Sequence, residues 1–203
     1  MASASDAADA SEFAAGSTNT EYETVASYAV VDDDDVVDDD APDPSEPDEG
    51  ETDTPLASPE RMFAVDLFNA TWDLLDSESR TAEDDRMMLG AALASRLHWR
   101  HVGEPKNFSV SDWQVSRVFS VLGDVVRAKE YGQSALDIAA EYGLGPFYVG
   151  YAEEALARAA ALEGDEEQLQ HWMARAKASL DDIEDDDAKE LLNADLDAIS
   201  ADS

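Results

Sequence analysis

The chain has 203 residues, 48 acidic against 13 basic, a net charge of −35 and no cysteine. Without cysteine there is no disulfide framework, no thiolate nucleophile and no thiolate metal ligand, and so little basic charge excludes a nucleic-acid surface that neutralises phosphates. No apolar run approaches the roughly 20 residues that cross a bilayer, and no basic stretch followed by an apolar one opens the chain as a secretory signal would, so a cytoplasmic location without a membrane partner is expected.

The charge is distributed unevenly. Residues 1–57 hold 18 Asp and Glu and no Lys or Arg, leaving 30 acids and all 13 basic residues to residues 58–203. The first stretch is rich in Ala, Ser, Asp and Pro, with Asp runs at 32–35 and 38–40 and prolines at 42, 44, 47 and 55. Such a composition cannot bury enough apolar surface to offset chain entropy, and it is expected to be a disordered acidic tail. One piece of it differs: residues 22–31 (Tyr-Glu-Thr-Val-Ala-Ser-Tyr-Ala-Val-Val) are β-prone and suited to an edge strand or a groove of the domain. The remaining 58–203 are expected to form one all-α domain. That domain is acidic too, with nine Arg and only four Lys. Its self-repulsion works against the compact state at ordinary ionic strength and is screened at molar salt, where the Debye length is about 3 Å. A halophilic, salt-rich cytoplasm is the environment this composition suits.

In chain order, Ser58-Pro59 places a capping hydroxyl before a proline at the first helical position. The helix it opens runs to about Asp76 and is expected to bury Phe63, Leu67, Phe68, Trp72 and Leu75. Thr81 with Asp84 resembles a capping box for a second helix over 82–101, whose expected inner face is Met87, Ala91, Ala94 and His98. Gly103-Glu-Pro105 stops it, and a loop over 104–109 is expected before a third helix over 111–122, capped by Ser111 and Gln114. Asp124 opens a helix to Tyr142, and a fifth is expected over 147–162. Gly123, Gly143 and Gly164 stand where left-handed caps favour a residue without Cβ. Asp165 with Gln168 opens a sixth helix that presents Leu169, Trp172, Met173, Ala176 and Leu180. A seventh, from about Asp185, presents Ala188, Leu191, Leu192, Leu196 and Ile199 to cover the open end of the stack. Short connections make neighbours antiparallel, so the expected fold is an antiparallel helical hairpin array of about seven helices.

Gly123-Asp124 and Gly164-Asp165 join helix pairs 41 residues apart, and Arg117 aligns with Arg158 and Ala135 with Ala176 at the same offset. Small residues five and twelve after the first inter-helix Gly, Ala128 and Ala135, resemble the tetratricopeptide pattern, whereas Leu169 breaks it in the second pair. The spacing exceeds the usual 34, an excess the sequence suggests attributing to the linker at 143–146. The pieces His98-Trp99, Gly103-x-Pro105, Trp113-Gln114-x-x-Arg117, Leu122-Gly123, residues 154–159 (Glu-Ala-Leu-Ala-Arg-Ala) and Leu192-x-x-Asp195-Leu196 resemble a group of small, uncharacterised bacterial tetratricopeptide-like proteins. The resemblance implies the fold and no activity. The acidic tail and acidic surface depart from that group.

Candidate sites are few. His98 and His101 lie three apart on one helix, and with His171 and a carboxylate they form a candidate metal set. They lack the Glu-containing spacing of zinc-protease helices, and the first two equally suit the negative end of a helix dipole. Trp99, Trp113, Tyr131, Tyr148 and Tyr151 are candidates either for the core or for a concave groove that binds a peptide. Arg117 and Arg158 either pair with Glu153 or Glu154, or face that groove and hold a carboxylate or phosphate through bidentate contacts. No catalytic constellation, cofactor motif or phosphate loop stands in the sequence. The expected function is a non-enzymatic protein–protein interaction module or scaffold, with a protein or peptide partner and no cofactor. A metal-binding helical enzyme or sensor using His98, His101 and His171 is the alternative.

Overall fold

A computed structural model describes residues 58–201. The expected tail, including residues 22–31, lies outside the described residues. Among the described residues there are seven helices and no strand: α1 (Pro59–Leu75), α2 (Ala82–Val102), α3 (Pro105–Val121), α4 (Val125–Tyr142), α5 (Pro146–Glu163), α6 (Glu166–Asp182) and α7 (Asp186–Ala201). They form three successive hairpins, α1–α2, α3–α4 and α5–α6, with α7 packed on α5 and α6. The hairpins stack through α2 on α3, α3 on α5 and α4 on α5. No described helix is long and apolar enough to cross a membrane.

The helix ends follow local chemistry. Ser58 Oγ accepts the Arg61 amide at 3.2 Å, with proline next in line at the first position of α1. Thr81 and Asp84 form the reciprocal capping box of α2 at 3.2 and 2.8 Å. The bonds from the Thr81 amide and hydroxyl hold the Asp84 carboxyl below the usual carboxylate range. Asp124 and Asp165 accept the amides of Arg127 and Gln168, both at 3.1 Å. Gly123, Gly143 and Gly164 all have positive φ.

Two helix assignments are corrected. α3 begins at Pro105, not at 111, so the expected loop over 104–109 is helical. Asn107 Oδ1 accepts the Glu104 amide at 2.6 Å and supplies the start assigned to Ser111 and Gln114. The polar run 107–111 resembles a loop in sequence, yet Asn107, Ser109 and Ser111 are buried. Ser109 donates to the Ala135 carbonyl at 3.1 Å, and Ser116 donates to that of Ala128 at 2.7 Å, both across to α4. Short hydroxyls satisfied this way let α3 and α4 approach closely.

The inner face of α2 is turned by one residue, to Met88, Ala92, Ser95 and Trp99. Met87 is 60% exposed, and Phe63 of α1 stands outside at 53% while Ala64 takes the interior position. The larger apolar area of Trp99 decides the register, and Ser95 joins the core because its hydroxyl donates to the Ala64 carbonyl at 2.7 Å.

The 41-residue repeat extends to the helix starts, Pro105 and Pro146. Its excess over 34 is carried by helices of 17 and 18 residues, not by the linker, which is only three residues between α4 and α5. The first helices of the second and third hairpins, α3 and α5, are buried on nearly every side, over 109–120 and 150–160. α5 achieves this with small residues: Ala152, Ala155, Ala157, Ala159 and Ala160 all sit in the core. At Gly150 an added Cβ would come within 2.6 Å of Leu192 on α7, so glycine sets the distance at which α7 closes the stack. Aromatic rings run across the hairpins, Trp72 to Trp113 at 5.4 Å, Trp113 to Tyr151 at 4.8 Å and Tyr151 to Phe147 at 4.9 Å between centroids.

Candidate functional site

Charged residues buried in the stack are the first place to look for chemistry. Glu154 on α5 lies at the centre of one cluster. Its Oε2 accepts the Trp113 indole N–H at 3.0 Å, and its Oε1 accepts Arg158 Nε at 2.8 Å. Arg117 Nη1 lies 3.6 Å from the same Oε1 and 3.9 Å from Asp195 Oδ1 on α7, which is also 3.7 Å from Arg158. All four charged side chains are buried, two guanidiniums against two carboxylates. Burial raises the Glu154 carboxyl, but Arg158, Arg117 and the indole N–H outweigh it and hold the group below the ordinary glutamate value of 4.5. Glu154 is therefore held in its ionised form, in a cluster closed to solvent. That cluster ties α3, α5 and α7 together.

A second cluster sits nearer the surface. Asp112 on α3 is wholly buried and accepts Arg100 Nη2 at 2.9 Å, Arg96 Nε and the Ser134 hydroxyl. Arg96 also lies 5.3 Å over the Tyr131 ring, and Arg100 lies 4.8 Å over Phe108. Arg96 thus reaches from α2 across α3 to α4. Forty-one residues on, Glu153 accepts Arg175 Nε at 2.7 Å and the Ser179 hydroxyl at 3.0 Å, both from α6.

Of the seven residues read from sequence as binding candidates, Trp99, Trp113, Arg117, Tyr151 and Arg158 are buried, so no partner reaches them in the folded protein. Tyr131 and Tyr148 are part-exposed, each against a phenylalanine, Phe119 at 5.6 Å and Phe147 at 5.3 Å. Both arginines meet Glu154, the pairing arm of the two readings, and Glu153 belongs to a different cluster. His98 and His101 lie 3.7 and 3.9 Å from the same Glu60 oxygen, while His171 stacks edge-on against Trp172 on α6. Among the described residues no group of three or more His, Cys, Asp or Glu stands where it would hold a metal, so the structure does not gather the three histidines as a ligand set.

Sequence reasoning missed an open cavity of about 630 Å³ between α4 and α6. Leu156 of α5 contributes to its lining, α4 supplies Lys129, Glu130, Gln133 and Asp137, and α6 supplies Gln168 and Trp172. Lys129 is tied to Glu163, and Asp137 accepts Gln133 Nε2 at 2.7 Å. The only sequence signal is the offset itself, which pairs Tyr131 with Trp172 and Asp112 with Glu153. The chain matches no family model, no curated protein and no solved structure.

Proposed function

We propose that the chain is a non-enzymatic, tetratricopeptide-like interaction module of a salt-rich cytoplasm, and that the groove between α4 and α6 is where a protein partner docks. The observation that carries this reading is the contrast between interior and groove. The buried charged groups are satisfied by one another, whereas the groove keeps a part-buried tryptophan, a leucine and exposed carboxylates facing open volume. Stacked helical hairpins offer extended surfaces of this kind to peptides and helices. Thirty acids beyond residue 57 favour a basic partner and a salt-screened medium.

The test places a photo-crosslinking residue at Gln133 in the groove and, as a control, at Asn193 on α7, in the full chain at native salt. A discrete protein adduct formed from Gln133 and not from Asn193 is the expected result. No adduct from Gln133, or the same adducts from both positions, removes the reading. The salt component is checked separately by melting the chain between about 0.05 and 3 M KCl, where screening changes most. The midpoint is expected to rise, and a flat or falling one removes the salt-adapted reading.

A further inference from the structure

The two ends of the hairpin stack are finished differently. At one end α7 lies on α5 and α6 and buries Leu191, Leu192, Leu196 and Ile199. At the other, α1 packs on α2 and touches α3, and a seam between α1 and α2 stays open among the described residues. Arg96 and Arg100 reach from α2 to Asp112 on α3. His98, two residues from each and so on the other side of the helix, meets the Phe63 ring of α1 at 5.6 Å. Phe63 and Leu67 line this seam from α1, and Met87, Ala91 and Ala94 line it from α2, at helical spacing. Of the eight large apolar side chains exposed among the described residues, six belong to this first hairpin.

We propose that residues 22–31 of this chain fold back over the seam and cap the first hairpin, as α7 caps the last. Stacked helical repeats need such terminal covers. The segment is the apolar piece of the residues before Ser58: Tyr22, Val25, Tyr28, Val30 and Val31 stand within ten positions that hold one acid, Glu23. Its tether ends at the seam, because residues 32–57 lead from it directly to the start of α1. Those 26 residues reach about 85 Å when extended, against about 25 Å for the length of α1. A tethered segment is present at an effective concentration on the order of millimolar, whereas a second copy must approach against its own net charge of −35. The Asp runs beside the segment also favour this end. Residues 58–103 carry 8 acids against 5 arginines, and residues 104–203 carry 22 against 8 basic residues. The groove between α4 and α6, with Glu130 and Asp137 in its lining, repels those runs more strongly. The proposal is independent of what that groove binds.

The chain has no cysteine, so Ser27→Cys places a single nitroxide label in the full chain. Paramagnetic broadening of the amide signals is read at native salt. The amides of Phe63, Leu67, Met87 and Ala91 are expected to lose intensity, and those of Gln133 and Asn193 to keep it. Val25→Asp with Tyr28→Asp retains the label and the tether but removes apolar surface, and it should restore the lost intensity. Phe63→Glu with Met87→Glu, both at exposed positions, should do the same, while Val126→Glu, 67% exposed on α4, should leave the broadening unchanged. Broadening that survives the double aspartate variant comes from tethering alone and overturns the proposal. Equal broadening at Gln133 overturns it by placing the segment in the other groove. Broadening that appears only between labelled chains and separately isotope-enriched ones gives the seam to a second copy and overturns it as well. An unbroadened seam leaves that face to an external partner, and the proposal falls.

Discussion

Asp112 and Glu154 are both fully buried carboxylates that each receive two arginines, yet they stand in different electrostatic worlds. The arginines of Asp112 come from α2 with about a third of their side chains in water. Those of Glu154 are under a tenth exposed and shared with a second buried acid, Asp195. Losing the acid of the outer cluster leaves two cations that water re-solvates. Losing the acid of the inner one leaves two cations and a single anion inside the stack. The same residue types thus make a fastening near the surface and an all-or-nothing junction in the interior, and what separates them is access to water.

The sharpest test of that difference is Glu154→Gln. It strands an uncompensated positive charge among α3, α5 and α7, and a loss of about 3–5 kcal/mol is expected from denaturant midpoints. A loss under about 1 kcal/mol would mean that water reaches the cluster, and the comparison would collapse.

The pH dependence sharpens it further. Because the folded Glu154 carboxyl lies below its ordinary 4.5, its contribution is complete above that pH and disappears as the pH falls through the lower folded value. The stability gap between the parent and Glu154→Gln should therefore be constant near neutrality and shrink only below 4.5. A gap that already narrows at pH 6 to 7 would contradict the lowered value.

For the outer cluster, Asp112→Asn is expected to cost less, about 1–3 kcal/mol, since the amide keeps part of the hydrogen bonding and the arginines turn to solvent. That cost should diminish as KCl rises, whereas the cost of Glu154→Gln should hardly change, because buried pairs are screened much less. Equal salt dependence in the two variants would erase the distinction.

The smallest effect is expected where neither charge nor packing is touched. A Cβ at Gly123 meets nothing within 4 Å, so Gly123→Val acts only through a φ of +76°. It should cost about 1–2 kcal/mol, the penalty of a left-handed backbone for a residue with Cβ. A larger loss would show that the α3–α4 turn is more constrained than its geometry indicates.

Helix ends and connections were legible because their causes are local. Ser58-Pro59, Thr81 with Asp84, Asp124, Asp165 and the left-handed glycines each act within four residues, and together they define most of the seven helices and their hairpin order. Where local cues were ambiguous the reading failed. Asn107, Ser109 and Ser111 look like loop residues until the α4 carbonyls that accept from Ser109 and Ser116 are in place. The face of α2 was misread by one residue because Met87 and Met88 are equally apolar in sequence, and only burial against α1 and α3 separates them.

The candidate site divides in the same way. Arg117 and Arg158 were visible as charges at repeat spacing with Glu153 or Glu154 as partners, but that both meet Glu154, and that Asp195 of α7 joins them, needed the tertiary structure. The groove was not visible at all, since its lining is drawn from α4, α5 and α6. The sequence alone determined how much acid the chain carries, where most of its helices start and stop, and that two of its hairpins lie 41 residues apart, because composition, capping and glycine conformation are properties of neighbouring residues. Which charges are buried, which aromatics are out of reach and which groove stays open were decided by tertiary structure, because each depends on side chains that meet only after hairpins distant in sequence have stacked.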